Sequence, residues 1–279
     1  MATPLSLKTN VGSLTSQRNV GKAGRDLNTN ISRLSSGLKI NSAADDAAGS
    51  AVAQGLSAQI GGFEQATRNA NDAVAVLATA EGAYNSISDI LVRMRELAVQ
   101  GASDTLTDKE RGYLNTEFGD LVTEITRISD VTEYNGIQLL DGTAGASGAM
   151  VFQVGTRNTS NDQIGITLTD QDATALGVNA AAVDTLSNSQ AAITTIDTAI
   201  DALATDRATL GATQNQLTIA VDNLAVTTEN LSGALSGIQD TDIAAESAEF
   251  TKNNVLMQAG ISMMSQANAV PNLALRLLG

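Results

Sequence analysis

From Ile193 to Ile238 apolar side chains recur at alternating steps of three and four residues. Of the 14 positions on that line, 11 hold large aliphatics: Ile193, Ile196, Ile200, Leu203, Leu210, Leu217, Val221, Leu224, Leu231, Leu235 and Ile238. Arg207, Gln214 and Thr228 interrupt it, and only Ile219 and Val226 fall off it. A seam of this period predicts a long helix built for coiled-coil packing. At 1.5 Å per residue such a helix would run roughly 70 Å, which implies a rod.

The first half of the chain carries matching stripes. Leu56, Ile60, Phe63, Ala70, Val74 and Leu77 follow heptad spacing with a break at Thr67. A shifted stripe continues through Ala80, Tyr84, Ile87, Leu91, Met94 and Ala98. A shorter helix follows "GASDTL", with Leu114, Phe118, Leu121, Ile125 and Ile128 on one face. Thr107 and Glu110 stand at capping-box spacing before it. "YNGIQLLDGTAGASGAM", 134 to 150, is too rich in glycine for a long helix, and "MVFQV" and "IGITL" read as two short strands. Helical periodicity resumes near residue 185. Both chain ends are striped as well: Val20, Leu27, Ile31, Leu34 and Leu38 at one, Leu256, Gly260, Met263, Ala267, Val270, Ala274 and Leu277 at the other. Met257, Ile261 and Met264 widen the second stripe, and Pro271 is expected to kink or fray its helix. Neither stripe can bury itself alone, so the two ends are expected to meet each other or another subunit.

Composition fits rods better than a globule. There is no Trp, aromatics are 3%, and both prolines lie near the ends. Net charge is −14, unevenly spread. Residues 1–44 hold six Lys or Arg against one Asp, whereas residues 141–279 hold four against 14 Asp or Glu. These stretches could complement each other or keep the surface solvated. No basic face with interleaved aromatics suggests nucleic-acid binding. The start lacks the apolar core of a secretory signal peptide, and no run approaches a membrane span.

Candidate chemistry is sparse. Without His or Cys the usual nucleophilic triads and zinc sites lose their ligands. Asp104, Asp108 and Glu110 could hold calcium weakly, but helix capping is the better reading. "SAADDAAGSA", 42 to 51, pairs two carboxylates among small residues rather than in a pocket. No enzyme activity and no cofactor are expected.

"RLSSGLKINSAADDAAG", Arg33 to Gly49, closely resembles the bacterial flagellin N-terminal signature. "TRNANDAVAVLATAEGAYNSISDILVRMRELAVQGAS", 67 to 103, resembles the next flagellin block, and "YNGIQLLDG" the turn that leaves the helical region. "NNVLMQAGISMMSQANAVPNLALRLLG", 253 to 279, is similar to the flagellin C-terminus. The matches cover about two thirds of the chain, in order.

The resemblance implies a mainly α fold, a long antiparallel coiled-coil-like bundle with a small β-hairpin region. It implies terminal helices at 1–42 and 240–279 (D0), a helical rod at 43–138 and 186–239 (D1), and a hairpin region at 139–185 that leaves no room for outer domains. The family's subunits leave the cell unfolded through the flagellar type III export channel and polymerise under a cap into an extracellular filament for swimming. Partners would be further copies of the chain, the cap, the hook-junction proteins, an export chaperone and the host Toll-like receptor 5. The receptor pattern maps onto Arg93, Leu97 and Glu117, whose alternative roles are packing for Leu97 and a solvated charge for Glu117. Filament-core contacts are expected from Leu27, Ile31, Leu34, Leu38, Leu256, Met263, Val270 and Leu277. The nearest alternative is a hook–filament junction protein of the same superfamily. A membrane-active amphipathic protein is a more distant one, and no membrane insertion is expected.

Overall fold

A computed structural model describes residues 9–146 and 148–277, with side chains described to residue 269. The elements in order are α1 (Val11–Ser36), α2 (Ala47–Gly101), α3 (Asp108–Val131), β1 (Glu133–Tyr134), β2 (Ile137–Gln138), β3 (Ala149–Gln153), β4 (Gln163–Thr167), α4 (Leu186–Gln239) and α5 (Ile243–Leu277). The mainly α class with small antiparallel hairpins is as expected. The chain divides into two compact units, one of residues 1–58 with 230–279, the other of 59–229.

In the second unit α2 buries Ala66, Ala70, Ala73, Leu77, Ala80, Tyr84, Ile87, Leu91, Met94 and Ala98, an unbroken four–three alternation. Against it α4 buries Ser189, Ala192, Ile196, Ala199, Leu203, Leu210, Thr213, Leu217 and Leu224. The two helices run antiparallel: Arg95 donates to Asp197 at 2.6 Å and Gln214 to Glu81 at 3.2 Å. The observed seams correct the expected ones. Ile196, Leu203, Leu210, Leu217 and Leu224 are core as predicted, but the alternate seam positions fall one residue early, at Ala192, Ala199 and Thr213, leaving Ile193, Ile200 and Val221 half-buried on the flank. Likewise Ala66 and Ala73, not Phe63 and Val74, line α2. Small side chains occupy the contact line because they let two helix backbones approach closely, while branched ones pack beside it.

Helix α3 docks through Phe118 and Ile125. Its start is capped as expected: the Glu110 carboxylate accepts from the Thr107 N–H at 2.8 Å and hydroxyl at 2.9 Å. These bonds hold Glu110 below the usual carboxylate range. Arg111, which no sequence pattern marked, is buried in the α2–α3 turn. It donates to the carbonyls of Gly101 and Ser103, both at 2.8 Å, and to Asp108 at 2.7 Å.

The anticipated hairpin is β3 with β4, in register from Ala149 opposite Thr167 to Gln153 opposite Gln163. A smaller one, β1 with β2, was not anticipated as strands. Its turn residues Asn135 and Gly136 have φ of 52° and 78°, the left-handed pair that a tight two-residue hairpin turn requires.

Tyr84 places a phenol deep in the α2–α4 seam. Burial first, then the Asp206 charge, pushes its phenol up to about 12, and a hydrogen bond with Thr169 opposes this. A raised folded-state value means that the neutral phenol favours the folded state. Its contribution is complete below the ordinary value near 10 and is lost as pH rises towards 12. Urea unfolding between pH 9 and 12 should therefore show a loss of up to roughly 2–3 kcal/mol from this group, absent in Tyr84→Phe.

Candidate assembly surface

The first unit is built on the pairing of α1 with α5, helices from opposite ends of the chain. Asn10 caps α1 by accepting from the Ser13 N–H at 3.0 Å, and its amide donates to the Ala267 carbonyl at 2.8 Å. Gly37, with φ of 74°, ends α1 in the left-handed conformation usual after a helix. Its carbonyl accepts from the Thr241 N–H at 2.9 Å, and the Lys39 N–H donates to the Gln239 carbonyl at 2.7 Å. Leu38 thus lies beyond the helix, bridged to Asp240, and not on the helical stripe where it was expected. On the α2 side of the turn, the Asp45 carboxylate accepts from the Ser42 N–H at 2.9 Å and the Ser42 hydroxyl at 3.1 Å, which holds it below the usual range. Asp46 accepts from the Gly49 N–H at 2.9 Å. The two carboxylates of the 42–51 motif are therefore turn and cap acceptors.

Along α1 the least exposed positions are Ser13, Ser16, Val20, Ala23, Leu27, Asn30 and Leu34, again at three–four spacing. The corresponding line on α5 is Glu246, Phe250, Asn253, Met257, Gly260, Met264 and Ala267. Gly260 is needed for close approach: a Cβ there would lie 2.7 Å from Val20 Cγ2. Midway, Asn253 donates to the Asn30 side-chain oxygen at 2.9 Å, Asn30 donates to Glu246, and Arg33 lies 3.8 Å from Glu246. Such a polar cluster inside an otherwise apolar line favours one register over its neighbours, because any slip leaves buried amides unpaired.

The helix pair does not consume the whole apolar stripe. Leu27 and Leu34 are half-buried, but Ile31, Leu256 and Met263 remain 48%, 51% and 64% exposed. Val11, Leu14, Ile243, Val255 and Ile261 are also exposed. On α5 the face turned to α1 thus runs through Met257, Gly260, Met264 and Ala267, so the expected stripe splits, Gly260 and Ala267 lying on that face and Leu256 and Met263 outside it. The side chains of Val270 and Leu277 lie outside the described residues, as does that of Pro271, whose backbone is within α5.

In the second unit Arg93 and Glu117 meet on the surface, with Arg93 Nε and Nη2 at 2.9 and 2.6 Å from one carboxylate oxygen, while Nη1 reaches Glu96 at 2.9 Å. Glu117 and then Glu96 keep the guanidinium firmly protonated. Leu97 is only 1% exposed. It belongs to the same buried cluster as Met94 and Ala98, so that of the three residues Arg93 and Glu117 present side chains to solvent. Among the described residues no cluster of potential metal ligands occurs, and no helix is long and apolar enough to cross a membrane.

Comparison with known proteins agrees at both ends. The family described as the bacterial flagellin N-terminal helical region matches residues 7–145, and the bacterial flagellin C-terminal helical region matches 193–278. A flagellin of Halalkalibacterium halodurans is 42% identical over 271 residues, 96% of this chain and 98% of the relative. A flagellin of Bacillus subtilis is 40% identical over 282 residues, 89% of this chain and 91% of the relative. The crystal structure of Bacillus cereus flagellin aligns with a TM-score of 0.50 and 33% identity, over 56% of this chain and 88% of that one. Stripes, turn motifs and full-length likeness converge, and the chain belongs to the bacterial flagellin family.

Proposed function

We propose that this flagellin, a structural subunit of the bacterial flagellar filament, assembles through the outward apolar flank of its α1–α5 pair. The observation that carries this reading is the apolar surface left over after the two helices pair. A helix hydrophobic on more than one side needs a further partner. In a family of filament-forming proteins, that partner is another copy of the chain. Assembly then removes Ile31, Leu256 and Met263 from water at roughly 25 cal/mol per Å² of apolar area, repeated at every subunit. The expected division into terminal helices at 1–42 and 240–279 and a helical rod at 43–138 and 186–239 belongs to the same reading. So do export through the flagellar type III channel with a chaperone, contact with the cap and hook-junction proteins, an extracellular location and a role in swimming. The role is structural, and the carboxylates and arginines described above serve it through caps, turns and ion pairs. Recognition by host Toll-like receptor 5 would use the exposed Arg93–Glu117 pair, with Leu97 supporting it from beneath.

The test is seeded polymerisation. The chain should elongate fragments of its own filaments under the electron microscope, and Leu256→Asp with Met263→Asp should abolish elongation by placing charge where water is excluded. Circular dichroism should show the second unit unchanged. Undiminished elongation by the double variant would refute the reading.

A further inference from the structure

Helix α1 carries Arg18, Lys22 and Arg25 at steps of four and three, so all three share one face. All are exposed. The helical repeat places them on the side opposite Val20, Ala23 and Leu27, and therefore away from α5. No ion pair neutralises them among the described residues, where the first unit's salt bridges are Arg33 with Glu246 and Lys252 with Glu249. Nor could α5 neutralise them in this register. The contacts of Val20 with Gly260 and of Asn30 with Asn253 set the stripe alongside residues 253–262, a stretch with no charged side chain.

The missing countercharge exists elsewhere in the same unit. Asp240, Asp242 and Glu249 are exposed around the start of α5, where the neighbouring bases are Lys252, paired with Glu249, Arg33, beside Glu246, and Lys39, next to the Leu38–Asp240 bridge. Their mean position lies about 14 residues before the middle of the stretch that accompanies the stripe, about 20 Å along a helix. One chain cannot close that gap without losing its α1–α5 register, but two chains offset along the helix axis can.

We propose that the Arg18–Lys22–Arg25 stripe is an intersubunit docking surface, and that its occupant is the Asp240–Glu249 segment of a second copy. This rests on the filament reading and adds to it an electrostatic contact with an axial offset between neighbours. Exposed charge pairs are individually weak, but several acting together orient approaching subunits and are screened by salt.

The experiment is polymerisation at low salt, driven by a neutral crowding polymer and read as pelleted filament mass and by electron microscopy. Arg18→Glu with Lys22→Glu and Arg25→Glu should cut filament mass at least tenfold, as should Asp240→Lys with Glu249→Lys. Both sets combined in one chain should restore assembly. Circular dichroism and the neutral Arg18→Gln, Lys22→Gln, Arg25→Gln variant separate charge from helix loss, the neutral form being reduced but not abolished. Normal assembly of the stripe-reversed chain would overturn the proposal, and so would failure of the combined variant to recover while it remains helical. Binding of the wild-type stripe to phosphatidylglycerol vesicles, with assembly insensitive to its reversal, would assign it to a lipid surface instead and overturn the proposal too. Failure of the wild-type chain to form filaments would refute the filament reading itself.

Discussion

Gly260→Leu is expected to separate α1 from α5 and lower filament yield at least tenfold. Even the first added carbon would sit 2.7 Å from Val20 Cγ2. Val20 is β-branched and holds one rotamer in a helix, so it cannot swing aside. Two terms oppose each other. Glycine in mid-helix is about 1 kcal/mol worse than alanine or leucine, so the substitution favours the isolated helix. Overpacking costs about 1–3 kcal/mol, and splaying the helices also strands the Asn30–Asn253 hydrogen bond at a cost of about 1–3 kcal/mol. The unfavourable terms win. Hydrogen exchange across Val11–Ser36 should quicken in the variant, and Val20→Ala in the same chain should restore both protection and filament yield.

Phe118→Ala should be the most damaging single truncation in the second unit, costing about 3–5 kcal/mol. Phe118 is one of only two large apolar side chains with which α3 is fully buried against the α2–α4 seam, the other being Ile125. Deleting a ring there leaves a cavity that antiparallel helices held by their own seam cannot collapse to fill. For a unit of this size the loss corresponds to a midpoint shift on the order of 10 °C. Tyr113→Ala, at a 67% exposed position on the same helix, should leave the midpoint nearly unchanged.

The helices were legible because their seams are long, and a sustained heptad line has few alternative explanations. What misled was side-chain size. The large aliphatics place the alternate seam position at Ile193 and Ile200, whereas close antiparallel packing selects Ala192 and Ala199. On α5 the expected stripe splits: Gly260 and Ala267 lie on the contact line with α1, together with Met257 and Met264, while Leu256 and Met263 face outward. The burial of Leu97 is legible in the sequence, since it adjoins the face that Leu91, Met94 and Ala98 define. The β1–β2 hairpin was signalled by Asn135–Gly136 but its strands are too short to show alternation. The Asn30–Asn253–Glu246 cluster is a different case. Asn30 lies more than 200 residues from both of its partners, and nothing local distinguishes it from the exposed Asn28 two positions away.

Methionine oxidation, read by mass spectrometry, tests the assembly surface most directly, because two side chains of one chemistry sit in opposite environments. Met263 is 64% exposed on the outer flank of α5, and Met94 is fully buried between α2 and α4. Thioether oxidation follows exposure. With dilute peroxide, the unassembled chain should form sulfoxide rapidly at Met263 and slowly at Met94. In filaments of the same protein, Met263 should become as protected as Met94. Equal oxidation of Met263 before and after assembly would contradict the account, since the flank proposed to join subunits would still be open to water.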